Sequence, residues 1–409
     1  MLLSRRRAVS GLSTRAERAR DNRRSFVRIG LVLSVVALVL GAVQFARYDW
    51  TGLPLQRSPA ELDRTISADC HEQVRPFTTS AGRTISPSPI DDQQYLSMID
   101  WFRGERDLQV ECFYRPFTDR ALVPLVASWL PFEDALSLAL VNTALMLAGI
   151  WLVLATLVVQ GATPRVVLAA GSLVVVNWTT LAFGTGVLIE SAPFAAVALA
   201  WLLISLRRWW WAAAVIGLGV LAKETVVLAL PPLWVALSLD RPNGVGAGAA
   251  LRRWAPLAVA SAAAAIALVA RRVIGPPADA SWPTGVDLSL VSFNLNPAGL
   301  AVRVLGRAPV RVPSALWFVR RTRSAGFLAA CTDPAVAGVA SGLLLLAWIL
   351  ITADLSPRFF WPCFPFAATL VARWFGDGRP QRWLDGLRLP PWLVGERDER
   401  AGAAAGPAL

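Results

Sequence analysis

The chain has few charged residues, and two residue types that often take part in catalysis are nearly absent. Asp, Glu, Lys and Arg make up 17% of its 409 residues, whereas soluble domains carry about 25%. There is one histidine, His71, and one lysine, Lys223. The low charge excludes an ordinary soluble domain, and the single histidine argues against a His-based catalytic system or a His-rich metal site.

Cysteine is also rare, since the four cysteines are spaced too widely to form a metal motif. Cys70 and Cys112 fall in one long polar segment, residues 47–134. A disulfide between them is allowed if that segment lies outside the cytoplasm, where disulfides persist. The sequence leaves this pairing open.

Hydrophobic residues, by contrast, make up 55% of the chain, and the mean hydropathy is +0.50. They come in blocks of about 14 to 25 residues, the length that crosses a bilayer core of about 30 Å. In that core the backbone must hydrogen-bond within helices or a closed barrel. Because the blocks are continuous and rich in Leu, Ala and Val, they favour helices. The sequence therefore predicts an all-α, polytopic transmembrane bundle.

The formal charge of +12 comes almost entirely from arginine. Most arginines lie at the ends of hydrophobic blocks, where the positive-inside rule places them, so we do not expect nucleic-acid binding. Residues 1–28 contain nine arginines and precede the apolar run 29–45. This pattern predicts a basic cytoplasmic tail followed by a signal anchor in the cytoplasmic membrane of the cell.

About ten membrane crossings are predicted within a transmembrane domain of residues 29–375. The long block 209–239 is divided into a hairpin with Lys223 at its turn, which keeps later arginines on the cytoplasmic side. Outer loops are expected at 47–134 and 274–297, and a disordered cytoplasmic tail at 376–409. One feature disagrees with the charge rule, since Arg271 and Arg272 fall at an outer helix end. The predicted spans are 29–45, 135–159, 166–183, 188–206, 209–222, 226–239, 254–273, 298–319, 334–352 and 359–372.

Ionisable residues inside these apolar blocks are candidates for function, because each costs roughly 2.5–3.5 kcal/mol to insert. All of them map to the outer ends of the predicted helices: Glu190, Lys223, Glu224, Asp354 and Arg358. The outer loop adds the acidic pair Asp91-Asp92. Carboxylates can act as general bases or metal ligands, and Lys223 with Arg358 can hold a phosphate. This combination is typical of a site for a lipid-phosphate-linked substrate.

Four short stretches resemble elements of the GT-C glycosyltransferases, multi-spanning enzymes that use polyprenyl-phosphate sugars outside the cytoplasmic membrane. The acidic motif of the first outer loop is similar to DDQQY at residues 91–95. The other three are RALVPL at 120–125, LAKET at 221–225 and SPRFFWP at 356–362. The resemblance covers residues 27–375 and implies a GT-C-like bundle with a long first extracytoplasmic loop. Here Pro357 separates the serine and arginine that adjoin in that family.

By this resemblance, Asp91 would be the general base in a sugar transfer that inverts the anomeric configuration. Asp92 would support Asp91, or both would bind a divalent cation such as Mg²⁺ or Mn²⁺. The implied partners are a polyprenyl-phosphate-linked sugar, a glycan, lipid or protein acceptor, and membrane lipids, but no nucleic acid.

The remaining candidates would bind substrate. Lys223 and Arg358 would neutralise the donor phosphate as it leaves. Glu190 and Glu224 would contact sugar hydroxyls or position Lys223, and Tyr95 could stack on a sugar ring. Two other functions stay open: a transporter or flippase of a lipid-linked molecule, and a non-catalytic membrane assembly protein.

Overall fold

The computed structural model describes residues 23–43, 77–78, 84–85, 91–104, 113–186, 188–240, 247–278, 280–281, 295, 308–352, 357–377, 379–387 and 389–394. The predicted disulfide partners Cys70 and Cys112 lie outside these ranges, as does Asp354. For Asp91 and Asp92 the helical backbone is described but the side chains are not.

Helices dominate the described residues. In chain order they are α1 Arg23–Val43, α2 Asp91–Arg103, α3 Leu122–Ser128, α4 Asp134–Val159, α5 Pro164–Val175, α6 Trp178–Phe183, α7 Ser191–Ser205, α8 Trp209–Gly219, α9 Leu230–Leu239, α10 Ala247–Ile274, α11 Ala308–Ala325, α12 Phe327–Cys331, α13 Pro334–Thr352, α14 Phe364–Phe375, α15 Arg379–Gly386 and α16 Pro391–Val394. Three 3₁₀ helices join them at Thr118–Arg120, Glu224–Ala229 and Pro357–Cys363.

Within the described residues, four helices have the length and apolar composition to cross a bilayer: α1, α4, Leu251–Ile274 of α10, and α13. Their outward faces are apolar, as for Val273 of α10 (84% exposed) and Leu344 of α13 (72% exposed). Such faces are typical of helices that contact lipid. The fold is thus helical with four candidate membrane-spanning helices, and the ten crossings stay a prediction.

Helices α7 and α14 lie at the centre of the bundle. Helix α7 is apolar around its circumference, and nearly all residues of α14 are buried, as expected for helices surrounded by others. Helix α7 packs against α4 and α8, and α14 packs against α5, α11 and α13. Glycine permits the close approach of α4 and α7, since a Cβ at Gly149 would stand 2.5 Å from the Phe194 ring.

The block 209–239 forms the predicted hairpin. Helix α8 ends at Gly219, and Lys223 is extended (φ −164°, ψ 140°) before the chain returns. The two ends of the block lie together, because Arg207 pairs with Asp240 at 3.3 Å (Nη1 to Oδ1). The turn with Lys223 therefore points to the opposite end of the bundle.

The helix ends near Arg207 define what we call the basic end. Gln160, after α4, donates from Nε2 to Ser205 Oγ of α7 at 3.0 Å. Arg320 of α11 donates to the Asp377 carbonyl after α14 at 3.2 Å. The other end, which holds Lys223, is called the ionic end. Helix α7 has 15 residues, so the two ends are about 22 Å apart along it.

Two-residue strands form two small pairs among the described residues. Phe77–Thr78 pairs antiparallel with Thr84–Ile85, and Tyr114–Arg115 pairs parallel with Ala280–Ser281. The second pair links the segment before α3 to the segment after α10. The first segment continues to Asp119 and Arg120, and the second follows Arg271 of α10, so this pair lies beside charged residues of the ionic end.

Two sequence predictions need correction. The span 166–183 is two helices, because Asn177 Oδ1 accepts from the Thr179 backbone N–H at 3.0 Å and caps α6 as a new helix. The predicted disordered tail contains α15 and α16. Helix α15 is held to the bundle because Arg165 Nη1 donates to the Leu384 carbonyl at 2.9 Å and Leu384 is buried.

Candidate functional site

The only lysine is buried beside a buried carboxylate at the ionic end. Lys223 Nζ donates to Glu190 Oε1, and both side chains are at most 3% exposed. Arg358 approaches the same oxygen with Nε at 3.6 Å. Two cations from distant parts of the chain thus share one carboxylate.

Local structure explains this arrangement. Glu190 immediately precedes α7, so its carboxylate lies near the positive end of that helix dipole. Lys223 has an extended backbone and lies between α8 and the following 3₁₀ helix. The Phe359 ring faces both cations, with its centroid 5.8 Å from Lys223 Nζ and 5.2 Å from Arg358 Cζ.

A second network adjoins the first through Glu224. Arg120 binds this carboxylate with two nitrogens, including Nε to Oε2 at 3.1 Å. Arg271 Nη1 donates to the same Oε2 at 2.8 Å, and its Nη2 lies 4.0 Å from Asp119 Oδ2. Arg120 Nη1 also donates to the Tyr95 hydroxyl at 3.3 Å.

We call these seven charged residues the ionic cluster: Asp119, Arg120, Glu190, Lys223, Glu224, Arg271 and Arg358. Four cations face three carboxylates, so the described cluster has an excess of one positive charge. Burial alone would lower the pKa of Arg120, but the Glu224 carboxylate, with the Tyr95 hydroxyl, raises that pKa well above its ordinary value. Arg120 is therefore a permanent cation.

The structure brings together five of the predicted residues: Tyr95, Glu190, Lys223, Glu224 and Arg358. Tyr95 and Arg358 are 263 positions apart in the chain (358 minus 95). The roles assigned to them by resemblance remain predictions.

The acidic motif lies at the start of α2, whose first residue is Asp91. Tyr95 follows one turn later, so Asp91 and Tyr95 share a helix face. Because Tyr95 is buried against Arg120, this face of α2 is the one turned toward the ionic cluster.

Among the described side chains, which do not include those of Asp91 and Asp92, no group of three or more His, Cys, Asp or Glu residues could hold a metal ion. The divalent cation expected at Asp91 and Asp92 thus stays a prediction. The proposed Cys70–Cys112 disulfide also lies outside the described residues.

Sequence reasoning missed Asp119, Arg120 and Arg271 as members of the cluster. A signal existed for Arg271, because a cation at an outer helix end disagreed with the charge rule. The structure resolves the disagreement for Arg271, which is buried and paired with Glu224, whereas Arg272 is exposed. Arg120 begins the RALVPL stretch, but nothing local indicates that it meets Glu224.

An apolar groove of about 450 Å³ lies between α11, α13 and α14. Arg311 borders it, with its Cζ 4.3 Å from the centroid of the Phe360 ring. Its Nε and Nη2 atoms are buried and have no hydrogen-bond partner among the described residues. Phe360 follows Phe359, the aromatic residue that faces Lys223, so the groove ends beside the ionic cluster.

Compared with known family models, curated proteins and solved structures, the chain matches none of them at a significant level. The site itself and the resemblance of its short motifs are therefore the only indications of function among the described residues.

Proposed function

We propose that this protein is a membrane glycosyltransferase that moves a sugar from a polyprenyl-phosphate donor to an acceptor outside the cytoplasmic membrane. The observation that carries the proposal is the ionic cluster. Charged residues from five separate segments converge at one end of an apolar bundle, around the buried Lys223–Glu190 pair.

The cations of the cluster support a phosphate-bearing substrate. Lys223 and Arg358 share one carboxylate, Glu190. A phosphate oxygen arriving beside Arg358 would receive a charge-assisted hydrogen bond from a guanidinium suited to that geometry. Such contacts stabilise negative charge as it develops on the leaving phosphate.

The groove at Arg311 supports a lipid-linked substrate. Its walls include Phe318, Val339 and Leu343, which can surround a hydrocarbon chain. Two guanidinium nitrogens of Arg311 are buried without a hydrogen-bond partner among the described residues, which is unfavourable, and an anion beside them offsets that cost. A polyprenyl phosphate supplies both the chain and the anion.

The acidic motif supplies the base in this proposal. Asp91 stands one turn before Tyr95 on the face of α2 that meets the cluster. It would take the proton from an acceptor hydroxyl as that oxygen attacks the anomeric carbon. The bond from this carbon to the phosphate oxygen breaks with inversion, and the phosphate leaves with the electron pair.

One observation favours the non-catalytic alternative. Every carboxylate described in the cluster has a cationic partner, and Glu190 and Glu224 have two each. Such a network can hold helices together without binding substrate. In that case the protein would serve as a membrane assembly partner.

Sugar transfer by membranes from expressing cells tests the proposal, with radiolabelled polyprenyl-phosphate sugars as donors. Asp91→Asn removes the base and should lower the rate by at least about 10²-fold, because general base catalysis contributes 10² to 10⁴. Glu133→Gln is the matched control, since Glu133 is an exposed carboxylate just before α4.

Full transfer by Asp91→Asn would eliminate Asp91 as the base. Binding of polyprenyl phosphate by the wild-type protein without transfer of any tested sugar would favour the non-catalytic alternative.

A further inference from the structure

A polar cavity of about 690 Å³ opens at the basic end, between the α4–α5 loop and the ends of α11 and α14. Its described lining includes three arginines, Arg320, Arg321 and Arg373, and one carboxylate, Asp377. Gln160, Thr163, Ser324 and Gln381 add uncharged hydrogen-bonding groups. We call this cavity the basic basin. It lies at the opposite end of the bundle from the ionic cluster.

The arginines of the basin are only partly neutralised. Arg373 pairs with Asp333, and its Cζ lies 5.4 Å from the centroid of the Trp317 ring. Arg320 donates one nitrogen to a backbone carbonyl and makes no ion pair with a described carboxylate. Arg321 is exposed and makes no ion pair among the described residues. The basin therefore attracts an anion.

The surface beside the basin is apolar and indicates a lipid rather than a soluble anion. Val312, Leu316 and Val319 of α11 are 52%, 47% and 45% exposed. Their spacing of four and three residues places them on one helix face. This strip ends one residue before Arg320, so an anionic group held by the arginines can extend acyl chains along the strip.

Two exposed tryptophans place the basin at the level of lipid head groups. Trp383 of α15 and Trp392 of α16 are 61% and 56% exposed, although the helices that carry them bury Leu384 and Leu393 against the bundle. Tryptophan is enriched at the boundary between hydrocarbon and water. Gln381 of α15 lines the basin, so the basin and this boundary coincide.

We propose that the basic basin binds the phosphate head group of an anionic phospholipid from the surrounding membrane. Basic pockets between membrane helices hold such head groups elsewhere. The inference stands independently of sugar transfer, since it uses no residue of the ionic cluster.

Lipid titration of the purified full-length protein in neutral detergent tests the inference. Phosphatidylglycerol with brominated acyl chains should bind and quench tryptophan fluorescence, whereas phosphatidylcholine with the same chains should bind much more weakly. The double variant R320Q/R321Q should weaken phosphatidylglycerol binding by about 30-fold, which corresponds to about 1 kcal/mol for each arginine. R320K/R321K keeps both charges and should retain most of the affinity.

The matched control is R23Q/R24Q. It removes the same charge from exposed positions at the start of α1, at the same end of the bundle but outside the basin. Binding should be unchanged in this control. An equal loss in R23Q/R24Q, or undiminished binding by R320Q/R321Q, would overturn the inference. Inorganic phosphate should compete only weakly with phosphatidylglycerol. If inorganic phosphate bound as tightly as phosphatidylglycerol, the inference would be overturned, since the acyl chains would then contribute nothing to binding.

Discussion

Lys223 is the residue at which the two networks of the ionic cluster meet, because it pairs with Glu190 while its neighbour Glu224 pairs with Arg120. The sequence predicted Lys223, since a lone lysine inside an apolar block is conspicuous. It did not predict Arg120 as a partner. Pairing between residues 104 positions apart depends on how the helices pack, and no local pattern records it.

Replacing Lys223 tests the pair directly. Lys223→Met should lower the free energy of unfolding by about 3 kcal/mol, because it leaves a buried carboxylate with a poorer partner. Arg358, at 3.6 Å, compensates only in part. The double variant Glu190→Gln/Lys223→Met removes both charges and should recover most of the loss. Thermal unfolding in detergent measures the stability of the single and the double variant. A double variant less stable than the single one would show that the pair itself is not the source of the loss.

At the scale of elements, the sequence predicted well the helices that are long and uniformly apolar. The span 334–352 coincides with α13, and 135–159 differs from α4 by one residue. The sequence predicted the helix boundaries wrongly where side chains or 3₁₀ turns interrupt an apolar run. Asn177 divides 166–183, and the predicted 359–372 helix begins as the 3₁₀ helix Pro357–Cys363. Hydropathy does not register such breaks, because the flanking residues remain apolar.

Packing between α4 and α7 gives a prediction for one position. Gly149→Ala should destabilise the protein by about 1–3 kcal/mol, because the added methyl group would press on the buried Phe194 ring. That ring stacks on Trp361 with centroids 4.8 Å apart, so the strain reaches the segment that carries Arg358.

The control is Gly248→Ala in α10, where an added Cβ meets nothing within 4 Å. This change should stabilise the helix by up to about 1 kcal/mol through helix propensity. Thermal unfolding should therefore show a lower unfolding temperature for Gly149→Ala and an equal or higher one for Gly248→Ala, each compared with the wild-type protein. Equal effects would mean that α4 and α7 do not pack closely at Gly149.

At the scale of the whole molecule, the two ends of the bundle differ in chemistry. The ionic end buries cations with carboxylate partners, as Arg271 does with Glu224. Most exposed arginines among the described residues, including Arg208 and Arg321, lie at the basic end, whereas Arg272 and Arg103 are exposed at the ionic end. If the end with more exposed arginines faces the cytoplasm, the ionic end faces outward. The account of sugar transfer requires this orientation, because its donor is used outside the membrane.

Labelling of single cysteines in intact cells tests that orientation most directly, after the four native cysteines are replaced with serine. Phe132→Cys lies at the ionic end and Leu206→Cys at the basic end, and both native side chains are 46% exposed. A membrane-impermeant maleimide should label Phe132→Cys in intact cells and Leu206→Cys only after the cells are permeabilised. The reverse pattern would place the ionic cluster in the cytoplasm and contradict the proposed function.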